Sequence, residues 1–137
     1  MKHWLMKSEP SAYSIDDLRR DKSTSWNGVR NYQARNLMRE MSAGDKVLFY
    51  ASSADPSGVT GLAEVSAEAQ PEPDDPTWSM VEIRFVEKFP NVVPLDVLKQ
   101  TRGLEDMMVT RKGARLSVQP VTKGEFEIVV KLGRRKS

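Results

Sequence analysis

Lys7, Ser8 and Glu9 stand together in the run KSEP, an ammonium, a hydroxyl and a carboxylate ahead of a proline. Further on, WNGVRN (26–31) sets an indole, a glycine, a guanidinium and two side-chain amides close together. Trp26 offers a π face, on which a stacked flat heterocycle gains about 1–3 kcal/mol. Gly28 lets backbone approach a ligand closely, with Val29 beside it. Arg30 and Asn31 carry the donor forks that read base edges or phosphates. Tyr50 and Ser52, in FYASS, add a second ring and another hydroxyl, and Ser117 a third hydroxyl within RLSVQP. These residue types suit the holding of a flat polar ligand. Each also has a plain structural use: Trp26 as the plug of a barrel end, Gly28 as a turn, Arg30 as an ion-pair partner of Glu9, Tyr50 as core.

Conventional catalysis finds less. His3 is the only histidine and has no acid near it in sequence, so it reads as a surface or edge residue. Ser8, Ser52 and Ser117 lack a GxSxG context, and neither a P-loop nor GxGxxG occurs. The acids around Asp74 lack metal-ligand spacing. With no cysteine and one histidine, a structural zinc site is excluded. No metal or cofactor is expected.

A chain of 137 residues, 39% hydrophobic and 29% charged, is long enough for one domain with a real core. The start, MKHWLMKSEP, is too charged for a signal peptide, and no apolar run approaches the roughly 18 residues of a membrane span. The expectation is a cytoplasmic monomer that does not engage membranes. Net charge is only +2, but residues 111–137 carry eight Lys/Arg against two Glu, whereas 61–100 carry eight acids against three bases. Such segregation can orient a polyanion, with Arg115 and Lys123 as candidate phosphate contacts, or simply solvate a terminal helix.

The elements that must position these residues follow from pattern. KHWLMK (2–7) reads as a strand. Ser14 and Asp17 form a capping box ahead of Leu18. RDKSTS then reads as a polar connection into Trp26. Asn31 caps a helix to about Met41, with Ala34, Leu37, Met38 and Met41 on its core face and Gly44 at its stop. Residues 45–53 are a strand with Val47 and Phe49 on one face and Leu48 and Tyr50 on the other. VTGLAEVSAEA (59–69) alternates small residues, as a crowded barrel interior requires. QPEPDDP reads as an exposed acidic loop. Residues 77–89 are a strand presenting Val81, Ile83 and Phe85, and Trp4 and Trp78 read as core. Pro94 opens a helix with Leu95, Val97 and Leu98. Residues 115–121 are a last strand, and Thr122 with Glu125 caps a final helix holding Phe126, Val129 and Val130. The sum is an α+β domain: a mixed sheet of five to six strands, curled into a small barrel and flanked by helices.

The ordered motifs WLMKSEP, WNGVRNYQARN, GDKVLFY, GLAEV, VEIRFVEKF and RLSVQPVT resemble the EVE domain family. The resemblance spans residues 1–132, leaving 133–137 as a basic tail. It implies a PUA-like fold, shared with RNA-binding domains and with YTH readers of methylated adenine. It further implies a nucleic-acid-binding module, not an enzyme, which accepts a flipped and modified base, modified cytosine above all, from DNA or RNA. By motif, Lys7, Ser8, Glu9, Trp26, Gly28, Val29, Arg30, Asn31, Tyr50, Ser52 and Ser117 would line its pocket. Trp26 would stack, Ser8 and Asn31 would tell donor from acceptor, and Arg30 would meet phosphate or orient Glu9. The chain departs from the family in a shorter loop near 70–77, in Ala51 where histidine is common, and in Phe126 where tryptophan is usual. The alternative is a small PUA-like hydrolase of modified nucleosides, with Lys7 as base and Glu9 or Glu64 as partner.

Overall fold

The computed structural model describes residues 1–111 and 115–135. The chain opens with strand β1 (His3–Ser8) and helix α1 (Ile15–Asp21), then strand β2 (Ser23–Trp26) and helix α2 (Tyr32–Met38). Three strands follow, β3 (Lys46–Ala51), β4 (Gly58–Pro71) and β5 (Ser79–Pro94), with helix α3 (Leu95–Gln100) after them. A single 3₁₀ turn (Met108–Thr110) leads towards β6 (Val118–Val121) and helix α4 (Lys123–Gly133). The six strands form one mixed sheet in the order β2-β5-β4-β3-β1-β6. Only β1 and β3 pair in parallel; every other neighbouring pair is antiparallel.

The central strands are buried on both faces. Trp4 and Met6 of β1, with Val47 and Phe49 of β3, enter one core cluster; Leu5, Leu48 and Tyr50 enter the other. α1 and α2 cover the first cluster through Ile15, Leu18, Ala34 and Met38, and Met41 joins them. α3 and α4 cover the second through Leu98 and Val129. Each fully buried Leu or Met contributes about 1.5–3 kcal/mol. The alternation expected for β3 and the apolar face expected for α2 are therefore present. Phe126 packs half-buried against the second cluster.

β4 and β5 carry register shifts at four places. Bulges bend a strand and increase its twist, so these two long strands pass from one cluster, with Ala63, Val65, Val81 and Ile83, to the other, with Val59, Leu62, Phe89 and Val93. Gly61 lies where β4 crosses close to the Glu87 carbonyl and the Ile15 side chain, a site that admits no Cβ. The sheet is curled yet open: β2 and β6 are its two edges, and among the described residues no ladder joins them.

Several local expectations change. RDKSTS is not a plain connection, because Ser23–Trp26 pairs with residues 81–84 of β5 as an edge strand. α2 ends at Met38, and Gly44, with φ +97°, instead turns the chain into β3. Part of QPEPDDP is ordered: β4 runs to Pro71, and Glu72 is buried. Val97 is 39% exposed, leaving Leu98 as the α3 residue in the core. Trp4 is core, its indole N–H donating to Asp45 Oδ2 at 3.0 Å. Trp78 is not core and packs on the surface beside Tyr32. Both capping boxes, Ser14 with Asp17 and Thr122 with Glu125, form as the sequence predicts.

Candidate functional site

The end of β1 and the end of β2 lie side by side, and between them opens a cleft of about 650 Å³. Lys7 and Ser8 form one wall, with Tyr13 from the turn that follows. Thr24, Ser25 and Trp26 form the other, continued by Asn27, Gly28, Val29 and Arg30. Ser117, just before β6, closes a third side, and its carbonyl accepts from the Lys7 N–H at 2.8 Å. The volume lies in the range of small-molecule pockets. A larger groove of about 760 Å³ between β4 and α4, lined by residues such as Phe126 and Val130, contains none of the predicted site residues.

Trp26 is half-buried and meets Phe49 in a T-shaped contact, ring centroids 5.8 Å apart. That contact covers at most one face of the indole. Ser8 donates its hydroxyl to the Tyr13 carbonyl at 2.7 Å, which fixes the turn and leaves its oxygen as an acceptor towards the cleft. Lys7 extends over the Tyr50 ring, its Nζ 5.7 Å from the centroid. Burial pushes the Lys7 ammonium below the ordinary lysine value.

Arg30 is held by a residue the sequence did not single out. Its Nη1 and Nη2 donate to Glu72 Oε2 and Oε1 at 2.8 and 2.9 Å. The same Oε2 accepts the Gly28 N–H at 3.1 Å, so one carboxylate fastens the loop at two points. Gly28 takes φ +79°, a conformation that costs other residues about 1 kcal/mol or more. Arg30 beside it draws the Glu72 carboxyl below the usual glutamate range. The sequence carries a faint signal for this pair. WNGVRNYQA contains no acid, so the counter-charge of Arg30 has to come from afar.

The other predicted residues lie elsewhere. Glu9 is exposed, outside the lining of the cleft, and Arg30 pairs with Glu72 instead. The Asn31 side chain caps α2, accepting the Ala34 N–H at 3.0 Å, and is not among the residues that line the cleft. Tyr50 is only 3% exposed and belongs to the second core cluster; it reaches the site only through Lys7. Ser52 meets β1 through its backbone N–H, which donates to the Ser8 carbonyl at 3.0 Å. Arg115 is exposed two residues before Ser117. Lys123 flanks His3 and Met1 at the opposite end of β1, about 17 Å from Ser8 at 3.3 Å per residue. His3 itself is half-buried against Phe126, which together with the positive N-terminus lowers its pKa, burial having the larger effect. Of the basic segment, Lys112 and Lys136 lie outside the described residues. Arg134 is bound to Glu87 at 2.8 Å and is no free tail cation. Of the hydrolase constellation, Glu64 is taken up by Lys46 at 2.6 Å and by Arg84.

With this geometry in view, the chain's relatives are informative. The EVE domain family model matches residues 2–132. The chain belongs to the EVE domain family. Human thymocyte nuclear protein 1 is 36% identical over 168 aligned positions, covering 98% of this chain and 75% of that protein. The mouse protein of the same name is 37% identical, covering 95% of this chain and 73% of its own length. Those alignments run longer than the 137 residues here, so the relatives carry insertions this chain lacks. Among solved structures, a Pseudomonas syringae protein superposes with TM-score 0.91 at 40% identity, covering 95% of this chain and 98% of that one. Human THYN1, solved in complex with DNA containing 5-methylcytosine, superposes with TM-score 0.89 at 35% identity over 100% of both chains. ZmASCH from Zymomonas mobilis shares the fold alone, at TM-score 0.63 and 15% identity. Among the described residues no helix is long and apolar enough to cross a membrane.

Proposed function

We propose that this EVE domain is a non-enzymatic reader of DNA carrying a modified cytosine, which it takes flipped from the helix into the cleft between β1 and β2. The observation that carries the reading is the cleft itself, which Trp26 lines together with Gly28, Val29 and Ser8. A base inserted there stacks on the indole while its edge meets that backbone and the Ser8 oxygen. Stacking and edge hydrogen bonds together offset the few kcal/mol that unstacking a base costs. Lys7 faces the phosphate or the exocyclic oxygen of the same nucleotide. The human THYN1 complex with 5-methylcytosine DNA supports cytosine methylation as the mark.

Arg30, bound on both its forks by Glu72, acts chiefly as a strut of the cleft wall. Donor and acceptor discrimination, which the sequence assigned to Ser8 and Asn31, falls to Ser8 and the 27–29 backbone. A reader of DNA works where the DNA is, which in a cell without a nucleus is the cytoplasm.

The test is a titration of short DNA with one central 5-methylcytosine against the same DNA with plain cytosine and against the matching RNA. Preference for the methylated strand, lost in Trp26→Ala, is the expected result. Equal binding of all three oligonucleotides, or conversion of the modified nucleoside to a product, would sink the proposal.

A further inference from the structure

Outside the cleft, three planar groups lead from its wall towards solvent. The Arg30 guanidinium, which lines the cleft, lies 5.2 Å from the Trp78 ring centroid. Trp78 stacks on Tyr32 with centroids 5.0 Å apart and planes 27° from parallel. Tyr32 is 61% exposed, an unusual position for a ring already held by a neighbour. Arg35 lies 4.9 Å from the Tyr32 ring and 5.9 Å from Trp78.

The assembly is braced rather than loosely draped. Arg35 donates to the Thr77 carbonyl at 3.0 Å and to Asn36 Oδ1 at 2.8 Å. Arg39 donates to Ser79 Oγ at 2.9 Å and to the Thr77 carbonyl at 3.3 Å. With Arg30 on Glu72, three arginines thus strap the 72–79 segment to α2 and the loop before it. The rings are held in place before any ligand arrives, which lowers the ordering cost of binding. A rigid aromatic face beside guanidinium groups is the combination that stacks bases and attracts phosphates without regard to sequence.

We propose that Tyr32 and Trp78, with Arg35, form a second stacking site that takes the base next to the one in the cleft. The inference rests on the reading of the cleft as a nucleobase site, because Arg30 is the wall common to both. Charge supports a nucleic-acid occupant: Arg35 lies against both rings, and Arg39 holds Thr77 and Ser79 on either side of Trp78. The site distinguishes a nucleotide within a strand from a free modified nucleoside. It selects no particular neighbouring base, since every base has a π face.

Two titrations separate this proposal from the one it rests on. The probes are 5-methyldeoxycytidine alone, and short single-stranded DNA with a central 5-methylcytosine, intact or with both flanking nucleotides abasic. Tyr32→Ala should weaken the intact DNA roughly tenfold, leave the free nucleoside unchanged, and have little effect on the abasic-flanked DNA. Tyr32→Phe, which keeps the ring, should restore binding. Trp26→Ala should weaken all three ligands, because it acts in the cleft. If Tyr32→Ala behaves as wild type with intact DNA, the stack serves another occupant, such as a protein side chain, and the proposal falls while the cleft reading stands. If Trp26→Ala is without effect but Tyr32→Ala still weakens intact DNA and not abasic-flanked DNA, the stack stands and the cleft reading falls. Equal losses with nucleoside and DNA in Tyr32→Ala would mark a change in the fold of the loop and overturn the second site.

Discussion

Glu72 grips Arg30 with both carboxylate oxygens, at 2.8 and 2.9 Å, and with one of them also takes the Gly28 N–H. A residue of the acidic 70–77 segment therefore sets the shape of a loop more than forty positions earlier in the chain. Glu72→Gln removes the charge and one of the two forks while keeping the size. The expected result is a folded protein whose affinity for methylated DNA falls about five- to tenfold, as loss of a bidentate charged hydrogen bond implies. The pH dependence has a definite sign. Because Arg30 lowers the Glu72 pKa, the pair is intact above the ordinary glutamate range and is lost only as pH falls through the lowered value. Binding measured from neutral to acid pH should fall in that window for wild type and stay flat in Glu72→Gln.

Trp26 is the residue on which the cleft depends most for stacking. Trp26→Ala should reduce affinity for methylated DNA about tenfold to a hundredfold, the equivalent of roughly 1–3 kcal/mol. The half-buried ring also packs on Phe49, so a loss of about 2 kcal/mol in stability is expected alongside. Trp26→Phe should recover most of the stability and part of the affinity. Anisotropy titration and thermal melting on the same samples distinguish the two losses.

Lys7 predicts an opposite pair of effects. Lys7→Met should weaken DNA binding and reduce the slope of log affinity against log salt by about one, if the ammonium meets a phosphate. Its effect on stability depends on pH. Burial depresses the Lys7 pKa, so between that value and the ordinary lysine value the folded chain binds fewer protons than the unfolded chain. Wild-type stability should rise with pH across that window, and the rise should be missing in Lys7→Met. Chemical denaturation at a series of alkaline pH values reads this directly.

Asp45 serves the fold at the end of β1 away from the cleft. It is 3% exposed and accepts from Trp4 Nε1 at 3.0 Å, from Lys2 N at 3.0 Å and from Ser42 N at 2.9 Å. Burial on its own raises the pKa of this carboxyl, but the donors from Trp4, Ser42 and Lys2 outweigh it and hold it below the ordinary aspartate value. Asp45→Ala leaves a buried indole N–H without a partner and should cost about 3 kcal/mol. The contribution is present above the ordinary aspartate value and disappears as pH falls through the lowered one, so acid unfolding of the mutant should be shallower. Base preference should be unchanged at temperatures where the mutant is folded.

What the sequence discloses here is mostly what is local. The capping boxes of α1 and α4 are legible because three-residue spacing is itself the mechanism. The two faces of β3 are legible because Val47 and Phe49 alternate with Leu48 and Tyr50 in a strand buried on both sides. β2 escapes notice because Ser23, Thr24 and Ser25 show no apolar alternation; they form a strand only where β5 offers its edge. Glu72 escapes because prolines on both sides disguise a buried carboxylate as part of a solvated loop. Trp78 was expected in the core on hydrophobicity alone, whereas two arginines and Tyr32 give its ring a surface to lie on. In the cleft, Lys7, Ser8, Trp26, Gly28, Val29, Arg30 and Ser117 converge, but Asn31 and Tyr50 are already engaged elsewhere. Their chemistry suited a ligand; their positions gave it to the fold.

The antiparallel seam between β1 and β6 has a consequence for the life of the chain. Met6 faces Val118, and Lys7 donates to Ser117, so one wall of the cleft is sewn from the first strand and the last. A ribosome must release nearly the whole domain before that wall can close. Long-range closures of this kind are slow compared with helix formation. A chain lacking β6 would keep Trp26 and Arg30 across from Lys7 and Ser8 but lose the side of the cleft that Ser117 closes. The cleft is thus complete only when β6 has docked on β1.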